Sequence, residues 1–304
     1  MSKSHLPVLL GEILEGFSPC RLATFVDGTL GAGGHAKALL QAHPELTRYI
    51  GFDRDASALA LARQTLQDEA RVIYVQEEFG EMAVQLKALG IPQVDGILMD
   101  LGVSSMQLDQ PERGFSFSKG GPLDMRMDPR QPLTAEEIVN SWSERELTSL
   151  FREGEVVAPH RVAAVIIEER AKRPIRTTDQ LVQLVSRGRS HKIHPATLVF
   201  QALRMVVNDE LGLLERTLPV AISLLRSGGR LAVITFHSLE DRIVKNTFRD
   251  AAAERRAAPE KPLGYIPQVP QVRLVHKKAL SASPDEVHAN PRSRSAKLRM
   301  VEKL

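Results

Sequence analysis

The chain has 304 residues, of which 43% are hydrophobic, and its 40 Lys and Arg against 37 Asp and Glu leave a net charge of only +3. This ordinary composition excludes collagen-like, coiled-coil and disordered chains, and the length suits one large domain or two smaller ones. A single cysteine, Cys20, excludes an internal disulfide and a cysteine-built metal site. Without a signal-peptide pattern or a membrane-spanning apolar run, we expect a cytoplasmic protein.

The small net charge conceals a gradient along the chain. Residues 1–100 hold 8 basic and 13 acidic side chains, whereas residues 272–304 hold 8 basic and 3 acidic ones. Residues 101–212 hold 15 of each. A chain that is acidic at one end and basic at the other can bind a polyanion locally.

Strand and helix patterns alternate over the first hundred residues. Short apolar runs predict strands, and segments with alanine and leucine at helical spacing predict helices between them. The predicted strands are Leu22–Val26, Arg48–Phe52, Arg71–Val75 and Val94–Met99, and the predicted helices are His35–His43, Ala56–Gln67 and Glu81–Leu89. This alternation is typical of an α/β fold, in which helices cover both faces of a parallel sheet.

The alternation stops after residue 100, where a polar segment rich in glycine and proline is followed by helices alone. Capping boxes begin helices at Thr134 and Ser143. Further predicted helices are Val157–Arg170, Thr178–Val185, Ala196–Val207 and Leu211–Leu225. Helices without intervening strands indicate an inserted all-helical domain, which we place at residues 107–211.

Strand patterns return in the last third of the chain. A turn at Ser227-Gly228-Gly229 precedes the predicted strand Arg230–Phe236, and Ser238 caps the helix that follows. Val272–His276 and Lys297–Val301 form a predicted final strand pair. The α/β domain is therefore predicted to be discontinuous, with residues 1–106 and 212–304.

A glycine-rich loop, Asp27–His35, joins the first predicted strand to the first helix. Its glycines, which include Gly31, Gly33 and Gly34, let the backbone pass close to a ligand without a Cβ clash. In an open α/β sheet, ligands bind at the carboxyl ends of the strands. Asp53 ends the second strand, where its carboxylate can accept hydrogen bonds from the ribose hydroxyls of an adenosine ligand.

The glycine spacing helps to choose between two adenosine cofactors. The loop lacks G-x-G-x-x-G, the dinucleotide fingerprint. S-adenosylmethionine brings an ammonium, a carboxylate and a sulfonium cation instead of a phosphate, and Asp27 suits the ammonium. The pattern favours S-adenosylmethionine over a nicotinamide cofactor, and a tight turn with purely structural glycines is the plainer alternative.

Asp100 ends the fourth predicted strand, a position that borders cofactor and substrate in this topology. The alternative for this carboxylate is a helix or turn cap. The segment around it lacks the prolines and the aromatic residue that many amino-group methyltransferases carry there. The chemistry at Asp100 therefore stays open on the residues alone.

Ten motifs occur in order along nearly the whole chain. They are His5–Leu10, Asp27–His35, Asp53–Asp55, Asp100–Gln107, Arg113–Phe117, Gly121–Asp128, His194–Thr197, Phe200–Arg204, Phe236–Lys245 and Asn290–Ser295. Together they closely resemble the MraW/RsmH family, which methylates the N4 amino group of a cytosine in bacterial 16S rRNA. The resemblance implies a Rossmann-like class I methyltransferase sheet, S-adenosylmethionine as methyl donor without a metal, and 16S rRNA of the small ribosomal subunit as partner. It is also compatible with a homodimer.

The resemblance also implies which residues contact the cofactor. They are Gly33, Gly34, His35, Asp53, Phe79, Asp100 and Gln107. Phe79 would give the adenine a flat apolar neighbour, although on its own it is more typical of a core residue. The sequence departs from the family at Gly120, at Leu198 and at Val156-Val157, all within the predicted insertion.

Two residues are hypothesised to take part in catalysis. The cytosine amino group is a poor nucleophile, and the Asp100 carboxylate could accept its N–H and stabilise charge that develops on the nitrogen. His237 follows the fifth strand at the same crevice, where it could touch the base or the RNA backbone. A structural histidine is the other interpretation of His237.

Basic clusters predict where RNA phosphates bind. The segment Arg170–Lys192 has seven Lys and Arg against one acid, and the tail is basic too. The residues expected to contact RNA are Arg173, Arg176, Arg187, Arg189, Lys192, Arg292 and Arg294. A solvated charged surface is the alternative on charge alone.

Two other functions compete with RNA methylation: a nicotinamide-dependent oxidoreductase, and an RNA-binding assembly factor that has lost catalysis.

Overall fold

A computed structural model of the protein describes residues 7–67, 69–118, 120–186, 194–257 and 264–304. The chain divides into two compact units, Met1–Gly102 with Leu211–Leu304, and Val103–Glu210. The first unit contains a sheet, and the second is helical. Among the described residues, none of the helices has both the length and the apolar character that crossing a membrane requires.

Ten strands lie in the described part of the first unit. In chain order they are β1 Thr24–Asp27, β2 Arg48–Phe52, β3 Val72–Val75, β4 Val94–Asp100, β5 Leu225–Thr235, β6 Arg255–Ala257, β7 Tyr265–Pro267, β8 Val272–Leu274, β9 Leu280–Ser281 and β10 Lys297–Lys303. The main sheet has the order β3-β2-β1-β4-β5-β10-β8, with β9 also on β10, and β6 pairs with β7 separately. Strands β1 to β5 are parallel, and β10 is antiparallel to β5.

The helices cover this sheet and form the second unit. The helices of the sheet unit are α1 Leu10–Phe17, α2 Gly34–Ala42, α3 Ala56–Leu66, α4 Met82–Ala88, α12 Ser238–Ala251 and α13 Pro284–Ala289. Those of the helical unit are α5 Ser105–Asp109, α6 Ala135–Ser141, α7 Glu144–Glu153, α8 Pro159–Arg170, α9 Thr178–Val185 and α10 Ala196–Val207, and α11 Glu210–Leu224 leads back to the sheet. The predicted Rossmann-like fold class is confirmed.

The apolar cores lie on the two faces of the sheet because strand residues alternate between faces. Phe25 and Tyr49 belong to one core cluster, and their neighbours Val26 and Ile50 belong to the other. All four side chains have no exposed surface. The strand order runs outward in both directions from the β1–β4 pair, so the ligand crevice of this fold is expected at the carboxyl ends of those strands.

The helical unit begins earlier than the predicted residue 107 and ends at Glu210, one position before the predicted end at residue 211. The Ser104 hydroxyl accepts from the Gln107 backbone N–H at 3.2 Å, and the Gln107 side chain accepts from the Ser104 N–H at 3.0 Å. This capping box begins α5, so residues before 107 already belong to the helical unit.

Two predicted details near β5 are wrong. The Ser227-Gly228-Gly229 segment lies within β5 as a bulge: Val94 pairs with Leu225 but Gly96 pairs with Arg230, and Gly228 has φ +81°. The cap of α12 is His237 rather than Ser238, because the Glu240 backbone N–H lies 3.5 Å from His237 Nδ1. Ser238 is the first helical residue.

Candidate active site

The glycine loop between β1 and α2 is pinned to both neighbouring strands. The Gly28 N–H donates to the Leu98 carbonyl of β4, and the Leu30 N–H donates to the Phe52 carbonyl of β2, each at 2.8 Å. Gly31 and Gly33 adopt φ values of +54° and +81°, a backbone region that glycine enters without strain. The loop therefore holds one conformation across the carboxyl ends of three strands.

Asp53 follows the last residue of β2, and its two carboxylate oxygens bond to the glycine loop and to the start of α3. Oδ2 accepts from the Gly31 N–H at 2.9 Å, and Oδ1 accepts from the Asp55 N–H at 2.8 Å. Burial raises the pKa of Asp53 to about 6, against the lowering effect of these two bonds. Its side chain remains partly exposed. A carboxylate oxygen can accept a second hydrogen bond, so Asp53 can still bind ligand hydroxyls.

Asp27 lies beneath the loop and is only 1% exposed. Its Oδ1 accepts from the Thr29 N–H at 3.0 Å, and its Oδ2 accepts from the Tyr49 hydroxyl at 2.9 Å. Burial raises the pKa of Asp27 to about 6, and the nearby Asp53 adds to that rise. The Asp27 carboxylate, which was predicted to face a ligand ammonium, is thus bonded to the loop at Thr29.

Asp100 ends β4 beside the loop. Its backbone N–H donates to Thr29 Oγ1 at 2.6 Å. Its Oδ1 is buried and has no hydrogen-bond partner among the residues that the structure describes, although the side chain as a whole is 25% exposed. Burial, and then the charges of Asp27 and Glu240, raise the pKa of Asp100 to about 8. This carboxyl group is therefore largely protonated near neutral pH.

His35, the second residue of α2, is buried between the loop and the N-terminal segment. Its Nε2 lies 3.0 Å from the Val8 carbonyl, which can only accept, so Nε2 carries the hydrogen. Its Nδ1 lies 3.8 Å from Asp100 Oδ2. This distance is too long for a hydrogen bond but short enough for an electrostatic interaction.

The other two residues implied by the resemblance lie in different units. Phe79 is 7% exposed and begins a 3-10 helix; its Cβ lies 3.1 Å from the point where a Cβ on Gly28 would be. Phe79 therefore packs against the start of the glycine loop. Gln107 is buried in the helical unit, where its side chain caps α5.

His237 and Glu240 form the N-terminal cap of α12. Glu240 is 2% exposed and accepts from the Phe236 N–H at 2.8 Å and from the His237 N–H at 3.3 Å. His237 Nε2 lies 3.2 Å from Glu240 Oε1, at an angle that makes no hydrogen bond. Capping accounts for the placement of His237, which supports the structural interpretation.

The predicted RNA-binding residues are partly described. In the helical unit, Arg173 is exposed and 3.1 Å from Glu169, and Arg176 is exposed and 4.0 Å from Glu136. In the sheet unit, Arg292 and Arg294 are exposed on a 3-10 helix, Pro291–Ser295. Arg187, Arg189 and Lys192 lie outside the described residues.

The sequence did not indicate two supporting groups, Thr29, which fixes the backbone of Asp100, and Tyr49, which binds Asp27. Glu240 could be assigned to the cap of α12 from sequence, but its effect in raising the pKa of Asp100 could not. Tyr49 gave a signal that could have been used, because a tyrosine in an otherwise apolar strand needs a partner for its hydroxyl. The role of Thr29 and the effect of Glu240 depend on pairing between distant segments.

Comparison with known proteins identifies the family of the chain. The sequence model of the MraW methylase family matches residues 2–304 of the chain. Proteins named Ribosomal RNA small subunit methyltransferase H are similar throughout: that of Geobacter sulfurreducens is 48% identical over 311 residues, and that of Clostridioides difficile is 40% identical over 311 residues, each covering 100% of both chains.

Solved structures are less similar. An rRNA methylase from Streptococcus thermophilus is 10% identical over 99% of each chain with a TM-score of 0.43, a likeness too loose to bear on function. The family assignment therefore depends on the sequence matches, which span the whole chain. On these matches, the chain belongs to the MraW methylase family.

Proposed function

We propose that the protein is an S-adenosylmethionine-dependent methyltransferase that methylates the N4 amino group of a cytidine in the decoding region of 16S rRNA. The observation that carries the proposal is the position of Asp100, a partly exposed carboxyl group held beside a glycine loop at the carboxyl end of β4. The names of the relatives support small-subunit rRNA as substrate. The family resemblance supports cytosine N4.

The residues around the loop fit S-adenosylmethionine. Asp27, Asp53 and Asp100 make this region acidic, and Asp100 Oδ1 has no partner in the described part of the chain, so a cationic ligand is electrostatically favoured. Asp53 would hold the ribose hydroxyls, and Phe79 would face the adenine. When bound, S-adenosylmethionine supplies an electrophilic methyl group on a sulfonium.

Asp100 would act on the acceptor amine. The lone pair of the cytosine amino group is delocalised into the ring, and a carboxylate that accepts its N–H favours a more pyramidal nitrogen. The same carboxylate stabilises the positive charge that develops there. Because Thr29 fixes its backbone, Asp100 can hold the amine in line for transfer. The base must be unstacked to reach it, as in a loop or a flipped nucleotide.

Exposed basic residues would bind the RNA backbone. The exposed residues that would contact phosphates are Arg173 and Arg176 in the helical unit and Arg292 and Arg294 in the sheet unit. The pairs of Arg173 and Arg176 with glutamates lie at exposed positions, where such pairs contribute little. Phosphates can therefore replace them at small cost.

Transfer of a labelled methyl group from S-adenosylmethionine to small-subunit rRNA tests the proposal. We expect transfer by the wild type, and a loss of roughly 10²-fold or more in kcat for Asp100→Asn with measurable cofactor binding. NAD serves as the control ligand and should not bind. Full turnover by Asp100→Asn would contradict the role of Asp100, and absence of transfer by the wild type would contradict the function.

A further inference from the structure

S-adenosylmethionine and the product S-adenosylhomocysteine differ in charge at sulfur, and a methyltransferase benefits from telling them apart. The methyl donor carries a sulfonium cation, whereas the sulfur of the product is neutral. We propose that Asp100 discriminates between the two by releasing a proton when the donor binds and keeping it when the product binds. This inference rests on the proposed function and adds a specificity role to Asp100.

The position of Asp100 makes its negative charge costly in the cofactor-free protein. Its Oδ1 is buried and, within the described ranges, accepts no hydrogen bond. Its backbone N–H is bonded to Thr29, which holds the residue beside the loop. A desolvated carboxyl group without hydrogen-bond donors favours its neutral form.

The titratable neighbours of Asp100 come from three different elements. Asp27 at the end of β1 and Glu240 in the first turn of α12 both disfavour a further negative charge. His35 on α2 faces Asp100 Oδ2 with Nδ1, at 3.8 Å. Asp27 accepts hydrogen bonds from Thr29 and Tyr49, and Glu240 accepts one from the Phe236 N–H. These bonds favour the ionised forms of both acids, which then repel a negative charge on Asp100. The surroundings thus favour a neutral Asp100 until a cation arrives.

A sulfonium beside this group would reverse the balance, because an opposite charge nearby favours the ionised form of a carboxyl group. Binding of the donor is then linked to loss of one proton, and binding of the product is not. Since the pKa of Asp100 is about 8, the preference for the donor should strengthen as pH rises towards 8. A one-proton linkage changes affinity by at most about tenfold per pH unit.

The test measures dissociation constants for S-adenosylmethionine and S-adenosylhomocysteine at pH 6, 7 and 8. In the wild type, the ratio of product Kd to donor Kd should rise with pH, and in Asp100→Asn this rise should be lost or much reduced. The amino groups of both ligands titrate in the same range, so the difference between wild type and variant decides the outcome. An equal rise in both proteins would overturn the inference.

Asp53→Asn is the matched control. The ribose that Asp53 would hold is common to both ligands, so this variant should weaken both and leave the rise of the ratio with pH in place. Loss of the rise in Asp53→Asn as well as in Asp100→Asn would assign the effect to general acidity of the region and contradict a specific role for Asp100.

Calorimetry gives a second readout that does not depend on affinity. At pH 7.5, groups with a pKa of about 6 are ionised and Asp100 is still largely protonated. Binding enthalpies in two buffers of different ionisation enthalpy should show more proton release with the donor for wild type than for Asp100→Asn. Equal release would overturn the inference. Failure of the wild type to bind either ligand would instead contradict the proposed function.

Discussion

The surroundings of the Asp100 carboxyl group set its charge. Asp100 ends β4 against the glycine loop and lies near His35. The acids Asp27 and Glu240 are close enough to raise its pKa. Burial raises the pKa of Asp27, Asp53 and Asp100 alike. The folded, cofactor-free protein therefore binds more protons than the unfolded chain, and its free energy of unfolding depends on pH.

The unfolding free energy of the cofactor-free protein should reflect the raised pKa of Asp100. An unfolded Asp titrates near pH 3.9, so between about pH 4 and pH 8 the folded protein binds more protons, and this contribution is lost as pH rises. We expect wild type to lose up to about 1.4 kcal/mol per pH unit relative to Asp100→Asn. Urea unfolding at pH 6, 7 and 8 measures this, and parallel curves would contradict it.

Tyr49→Phe should weaken the support beneath the loop. The change removes the hydroxyl that donates to Asp27 Oδ2 and keeps the ring that stacks on Phe25 at 5.2 Å. We expect a loss of about 1–3 kcal/mol in unfolding free energy. The loss should be larger at pH 8 than at pH 5, because Asp27 is ionised only above its pKa of about 6. An equal loss at both pH values would show that the bond to Asp27 is not responsible.

Among the elements of the fold, the glycine loop connects the carboxyl ends of β1, β2 and β4. Its backbone is tied to β2 and β4, so the three strand-end carboxylates are held in one arrangement by the loop between them. The loop also packs against α3, where a Cβ on Gly33 would lie 3.3 Å from Leu66. Any change in loop conformation should therefore alter ligand binding and stability together.

Gly33→Ala tests this dependence. Alanine at φ +81° costs about 1–2 kcal/mol, and the contact with Leu66 adds to it. We expect lower unfolding free energy and weaker S-adenosylmethionine binding. Gly11→Ala in α1 is the control, because it has open space and helical backbone and should stabilise the protein by about 0.5–1 kcal/mol. If Gly33→Ala behaves like Gly11→Ala, the loop is not constrained as described.

Regular elements were predictable from sequence because their signals are local. The predicted bounds of β2, α9 and α10 agree with the structure, since apolar periodicity and capping set them. The bulge at Ser227-Gly228-Gly229 was not predictable, because a bulge depends on the pairing of β5 with β4. His237 was missed as a cap because histidine is an unusual capping residue.

The site was predictable only in outline. The strand-end positions identified Asp27, Asp53 and Asp100 as candidate site residues. Which of them bonds to the loop and which faces a ligand depends on contacts between strands. Tyr49 and Asp27 are 22 residues apart, and the register of β1 with β2 brings them together. The sequence could name the carboxylates, and the packing around them determines their charge.

For the whole molecule, the net charge of +3 is a cancellation between two binding tasks. Residues 1–100, with 8 basic and 13 acidic side chains, contain the acidic loop that suits a cationic cofactor. The basic stretches lie in the helical unit and in the last 33 residues, where a polyanion would bind. The proposed function therefore predicts the uneven distribution of charge along the chain.

Charge reversal in the tail should separate these tasks. We expect Arg292→Glu with Arg294→Glu to weaken rRNA binding and to lower its salt dependence, since fewer counterions are released. Binding of S-adenosylmethionine should not change. Arg249→Glu, an exposed site on α12 beside Asp250, is the control and should have a smaller effect. Unchanged rRNA affinity at moderate salt would contradict a phosphate contact by Arg292 and Arg294.

Nucleoside mass spectrometry of small-subunit rRNA tests most directly whether the protein methylates a cytidine at N4 in 16S rRNA. Cells that lack the protein should lack N4-methylation at one cytidine in the decoding region. The wild-type chain should restore it, and Asp100→Asn should not. An unchanged modification pattern in cells without the protein would contradict the proposed function, and restoration by Asp100→Asn to the wild-type level would contradict the role of Asp100.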